Sequence, residues 1–174
     1  MGEGAEYSGR RDPRFVTLRR GGTLVDTHHR LLAAWAADCA EHVLDLFTSA
    51  CPQDNRLQRA IEQARAWSRG EISMTQAREA AYAAHDAARQ ASGAAREVAR
   101  AAGHAVATAH MADHELGAAA YAIRAVRAAS PAADATLAGE RECQWQREHL
   151  PEPIRELVRS DEELRNTKFW SVFT

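Results

Sequence analysis

The histidines between residues 104 and 114 are the side chains whose type and spacing could do chemistry. His110 and His114 stand four residues apart, with Asp113 between them and His104 upstream. On one continuous helix, His110 and His114 would share a face and could supply two ligands to a zinc ion. Asp113 can equally cap a new helix, which would place a bend between the two histidines. Because Met111, not glutamate, follows His110, the zinc-protease pattern is not met. We therefore expect polar joints at a helix junction and no metal site.

His104 and Thr108 form a second polar pair, four residues apart in an alanine-rich stretch. Such a pair can line a buried polar cavity, or it can bond to a neighbouring helix that approaches closely. We favour the second interpretation. Together with His110, Asp113 and His114, these two residues form the predicted polar cluster.

Asp38, Cys39 and His42 combine a thiol with an imidazole. A nucleophilic cysteine needs a histidine oriented by a third group and donors for the developing oxyanion. Cys39 lies on the apolar stripe of its predicted helix, so an inert core thiol is the better interpretation. The sequence thus predicts no catalytic residue and no cofactor.

Three aromatic residues are candidates for an interface with another protein. Trp145 lies in a charged stretch, residues 140–148, and an aromatic side chain among charges is typical of an interface hot spot. Trp145 can equally cover the core from its edge. Phe169 and Trp170 lie in the C-terminal tail, residues 161–174, whose apolar part, residues 168–173, can dock on the body or expose an aromatic patch. An exposed patch there could also join two copies of the chain, so both a monomer and a homodimer remain open.

Apolar residues recur at three- and four-residue spacing through most of the chain, which predicts helices. The fold class is all-α: a single-domain antiparallel bundle of six to seven alanine-rich helices over residues 14–160. Residues 1–13 are expected to form a mobile tail, and Phe15–Leu18 a short extended arm. We predict one helix over about residues 28–50, with Asp26 or Thr27 as its cap, and a short last segment over residues 154–159.

Composition narrows the function classes. The net charge is −2 and the sequence pI about 6.4, so we expect neither nucleic acid nor a membrane as partner. Alanine accounts for 38 residues, and 21 arginines stand against one lysine. Arginine excess can indicate bidentate contacts with carboxylates or phosphates. We attribute it here to the base composition of the genome. Without a signal sequence and with three cysteines, the chain is predicted to be cytoplasmic.

Four segments in a fixed order resemble a known family. They are residues 31–44, 60–72, 100–110 and 118–126, and a related ending covers residues 145–151. Together they resemble the immunity-five-like domain of bacterial polymorphic toxin systems, over roughly residues 24–128. The resemblance implies an all-helical domain that binds and neutralises a protein toxin, and it supplies no catalytic residues. The alternative is a helical domain, with or without enzymatic activity, that binds a small molecule or a metal through His104, His110, Asp113 and His114.

Overall fold

The computed structural model describes residues 10–174 and is built from α-helices. Most of the predicted mobile tail therefore lies outside the described residues. The helices are α1 (Asp26–His42), α2 (Asp45–Thr48), α3 (Arg56–Ser68), α4 (Met74–Gln90), α5 (Gly93–Ala107), α6 (Glu115–Ala129), α7 (Ala135–Glu148) and α8 (Glu152–Arg165). Over residues 10–174 there is no strand, and the all-α prediction is confirmed.

The predicted N-terminal arm consists of two short 3₁₀ turns, Pro13–Phe15 and Leu18–Arg20. A single parallel bridge joins Thr17 to Leu24. Phe15 and Leu24 are buried, so the arm is fixed to the body by its apolar side chains.

Helix ends show where local sequence rules hold. Ser73 caps α4 in a capping box with Gln76, in which each side chain bonds to the other residue's backbone N–H. Gly70 has a φ of 75°, the left-handed conformation that glycine adopts without steric cost, just beyond the end of α3. The predicted capping role of Asp26 or Thr27 is wrong, because α1 begins at Asp26 itself with Val25 before it.

Two predicted helix lengths need correction. The helix expected over residues 28–50 is divided into α1 and α2, and Val43 at the end of α1 leaves helical geometry. The segment expected to end near Arg159 continues to Arg165 as a helix of 14 residues. Pro153 lies in the first turn of this helix, where a proline costs no hydrogen bond.

The core has two parts with different side-chain sizes. Between α1, α3, α4, α5 and α6 the buried residues are mostly alanine, which lets the helix axes approach closely. Around α6, α7, α8 and the arm, larger side chains fill the space, among them Phe15, Trp35 and Leu116. The chain after α8 packs against this second part through Phe169, Val172 and Phe173. None of the helices within residues 10–174 has the length and apolarity needed to cross a membrane.

Candidate functional site

Glycines on α5 and α6 allow imidazole rings to lie directly on helix backbone. A β-carbon on Gly117 would come within 2.6 Å of His104 Nδ1, and one on Gly103 within 2.6 Å of His85 Cε1. Real side chains do not tolerate such distances, so these rings occupy space that only glycine leaves. The helices α4, α5 and α6 thus hold His85 and His104 in fixed places.

His104 and His114 are joined by a hydrogen bond of 3.0 Å between their Nδ1 atoms. One nitrogen must donate and the other accept, so the bond requires at least one neutral ring. Burial, with smaller contributions from the nearby titratable rings of His114 and His85 and from the Arg100 charge, lowers the pKa of His104 to about 3. Burial likewise lowers the pKa of His114 to about 4, against the opposing effect of Asp113. Both rings are therefore neutral at physiological pH.

Neighbouring side chains enclose this pair. Arg100 Nη1 lies 2.9 Å from His85 Nδ1, so the guanidinium donates and the ring accepts. Burial and the charge of Arg100 lower the pKa of His85. The Tyr121 ring stacks on His104 at 5.3 Å between centroids. None of these three groups, Arg100, His85 and Tyr121, was among the site residues predicted from the sequence.

The other predicted polar residues have different roles. Thr108 is fully buried, and its hydroxyl donates to the His104 carbonyl in its own helix at 3.0 Å. The Thr108 carbonyl accepts a bond of 2.6 Å from His29 Nε2 on α1. His110 contacts the His114 ring at 5.5 Å between centroids, and its Nδ1 is buried with no hydrogen-bond partner in the described part of the protein.

The predicted capping role of Asp113 is wrong. A 3₁₀ turn, Ala112–His114, leads directly into α6, and the side chain of Asp113 accepts no capping bond. Its backbone carbonyl instead accepts a bond of 2.9 Å from Arg165 on α8. This turn separates His110 from α6, so the two histidines do not share a continuous helix. Among residues 10–174, no group of three or more His, Cys, Asp or Glu side chains is arranged to hold a metal ion.

Two cavities flank the histidine cluster. One, of about 430 Å³, is lined by His104, His114, Tyr121, Arg165 and Trp170, among others. We name the second the arginine cavity. It has a volume of about 440 Å³ and lies between the N-terminal arm, α1 and the end of α3. Its charged and aromatic lining comprises Arg11, Phe15, Arg19, Arg20, Asp26, His29, Arg30, Trp67 and His110. Nothing in the local sequence pattern predicted the arginine cavity.

The predicted interface aromatics differ in exposure. Trp145 is half-buried, stacked between His42 at 3.6 Å and His149 at 4.0 Å. Trp170 is 48% exposed and carries the Arg124 guanidinium over its ring at 4.0 Å. Phe169 is buried, so it belongs to the core and is no surface group.

Cys39 and His42, the predicted thiol and imidazole pair, have separate surroundings in the structure, as do Trp35 and Trp67. Cys39 is fully buried, and burial raises the pKa of its thiol well above the ordinary value. His42 Nδ1 bonds to Glu142 at 2.7 Å on α7. Trp35 is fully buried and donates to the Gln146 carbonyl at 2.9 Å. Trp67 is half-buried and lines the arginine cavity.

A comparison with family models identifies one family. Its model, described as "Imm-5 like putative immunity protein", matches residues 22–153 of the chain. The chain belongs to this family. The Imm-5 like match spans α1 to α7, and with them the histidine cluster and most of the arginine cavity. Most of α8, including Arg165, and the aromatic C-terminal residues lie outside the matched range. No curated protein and no solved structure matches the chain.

Proposed function

We propose that this protein is an immunity protein that binds a cognate toxin and neutralises it by protein–protein contact, without catalysis. The observation that carries the proposal is the Imm-5 like family match over residues 22–153. It agrees with the order and spacing of the segments that resemble this family in the sequence. Inhibition by contact requires a complementary surface and no reacting group.

The surface offers features that suit such contact. Trp145 is half-buried and stacked between two histidine rings, and the Arg124 guanidinium lies over the Trp170 ring. Aromatic side chains anchored by neighbours lose little conformational freedom on binding, which favours them as contact groups. We propose both tryptophans as contributors to the toxin interface, with Phe169 supporting Trp170 from the core.

We place the action in the cytoplasm. Cys39, Cys51 and Cys143 are free thiols, and Cys39 and Cys143 are buried. Reduced cysteines of this kind suit a reducing compartment. A toxin that acts inside the cell would meet its inhibitor there.

A survival experiment tests the proposal. The gene beside the one that encodes this chain is expressed under control in cells that lack the chain, with and without a second plasmid that supplies it. We expect cell death without the chain and survival with it. A plasmid encoding an unrelated immunity protein is the control and should not protect. Equal killing with and without the chain would contradict the proposal.

A further inference from the structure

The arginine cavity concentrates positive charge on a molecule that is negative overall. Its lining contains Arg11, Arg19, Arg20 and Arg30 but a single carboxylate, Asp26. The formal net charge of the chain is −2. The local excess of cations is therefore a property of this surface and does not reflect the whole composition.

Three of the four cavity arginines have no carboxylate partner within residues 10–174, whereas some arginines elsewhere, such as Arg65, pair with acidic side chains. Arg65 bonds to Asp38 at 2.7 Å and to Glu41 at 2.5 Å. Within residues 10–174, by contrast, Arg11, Arg20 and Arg30 form no ion pair. Arg19 reaches Asp26 at 3.5 Å in an exposed pair. Guanidinium groups that face one concave surface without carboxylates leave their hydrogen-bond donors to solvent or to a ligand.

The positive field acts on the histidines of the cavity. Burial lowers the pKa of His29, against the raising effects of its bond to the Thr108 carbonyl and of the Asp26 charge, and Arg19 and Arg20 add smaller lowering effects. Burial also lowers the pKa of His110, with additional effects of Arg78 and Arg11. Both rings are thus kept neutral, and the positive charge of the cavity resides on the guanidinium groups.

Part of the cavity lining is aromatic and held in place. The rings of His29 and Trp67 contact each other at 4.7 Å between centroids, and His29 is fixed by its bond to the Thr108 carbonyl. Phe15 is buried beside them. Guanidinium groups beside aromatic rings that are held in place suit a ligand that has both carboxylates and apolar atoms.

We propose that the arginine cavity receives an acidic segment of the partner toxin, whose Asp and Glu side chains pair with Arg11, Arg20 and Arg30. This proposal rests on the proposed function. A protein segment fits better than nucleic acid, because a long polyanion would be repelled by the negative charge of the remaining surface. A short acidic segment can place its charges within about 440 Å³.

A pair of matched double variants tests the proposal. Arg20→Gln with Arg30→Gln removes two charges from the cavity. Arg59→Gln with Arg141→Gln removes two charges from exposed arginines on α3 and α7 that do not line it. Thermal unfolding followed by circular dichroism should be the same for both variants and the wild type, because none of the four side chains forms an ion pair within residues 10–174.

The first readout is fluorescence anisotropy of a labelled hexaglutamate peptide. We expect the wild type and the control variant to bind equally, within about twofold, at roughly 50 mM salt. The cavity variant should bind about tenfold more weakly. Equal binding by both variants, no binding by the wild type, or tighter binding of a labelled single-stranded RNA at this cavity would overturn the proposal.

The second readout is protection from the toxin in the survival experiment. We expect the control variant to protect cells as the wild type does and the cavity variant to protect them less. If the wild type protects and the cavity variant protects equally, the cavity is not the toxin site while the immunity function stands. If the wild type itself gives no protection, the immunity function fails, and the peptide measurement still decides whether the cavity binds carboxylates.

Discussion

At the scale of single residues, the close approach of imidazole rings to helix backbone shapes the centre of the molecule. Gly117 lies under His104, and the His104 ring is confined by Tyr121 and His114. A side chain at position 117 would have to displace the His104 ring from its hydrogen bond with His114 and from its stacking on Tyr121. The stability of this region therefore depends on the absence of a β-carbon at position 117.

Gly117→Ala should destabilise the protein by about 1–2 kcal/mol, because the clash outweighs the gain in helix propensity. Chemical denaturation measures the free energy of unfolding. Gly139→Ala on α7 is the matched control, since its new β-carbon meets mainly the flexible Arg127 side chain at 2.9 Å. We expect the control to leave the free energy of unfolding unchanged or to raise it by up to about 1 kcal/mol. A Gly117→Ala protein as stable as the control would contradict this description of the cluster.

The neutral histidine pair predicts how stability depends on pH. In the folded protein the pKa values of His104 and His114 are about 3 and about 4, below the ordinary value of 6.5. Between pH 6.5 and about 4 the unfolded chain therefore binds protons that the folded protein does not. The free energy of unfolding should fall with falling pH over this range, by about 1.4 kcal/mol per pH unit for each histidine.

The variant His114→Gln isolates this effect. It removes one of the two low-pKa groups but keeps a polar side chain beside His104. Denaturant titrations at a series of pH values should show a shallower loss of stability below pH 6.5 than in the wild type. An unchanged slope would mean that His114 does not take up its proton on unfolding.

At the scale of elements, α8 is attached to the rest of the bundle by a buried ion cluster. Arg165 bonds to Asp161 within α8, lies 3.5 Å from Glu115 on α6 and donates to the Asp113 carbonyl. Glu115 is fully buried, and burial together with the charge of Asp161 raises the pKa of its carboxyl well above the ordinary value. Within residues 10–174, Arg165 is the cation that lies against the carboxyl groups of both Glu115 and Asp161.

Arg165→Ala should lower the free energy of unfolding by about 3–5 kcal/mol, because it leaves buried carboxylates without a positive partner. Arg155→Ala on the same helix is the control, since its pair with Glu152 is exposed. The control should cost less than about 1 kcal/mol. Similar losses for both substitutions, measured by chemical denaturation, would show that the buried cluster does not tether α8.

The elements also show which parts of the fold were predictable. Apolar spacing located the main helices, and the capping box of Ser73 with Gln76 involves partners only three residues apart in the sequence. The break between α1 and α2 at Val43 has no glycine or proline to mark it. The extension of α8 depends on Asp161 and Arg165 meeting a distant helix. Neither of these two features has a local signal.

At the scale of the whole molecule, the site was predicted in part. His104 and His114, two members of the predicted polar cluster, lie together, although the spacing arguments paired His110 with His114 and His104 with Thr108. The arginine cavity unites residues from the arm, α1, α3 and the segment after α5, which no period in the sequence brings together. The arginine excess that we attributed to genome composition includes these unpaired guanidinium groups, so composition does not account for their placement.

The stoichiometry of toxin inhibition tests the central claim most directly. Purified toxin is titrated with the purified protein, and the remaining toxin activity is measured at each ratio. An inhibitor that acts by contact inactivates the toxin in a fixed molar ratio, with complete inhibition reached only when every toxin molecule is bound. We predict a linear loss of activity that ends at a fixed molar equivalence. Complete inactivation by a small fraction of one equivalent, increasing with time, would show turnover and contradict a non-enzymatic immunity protein.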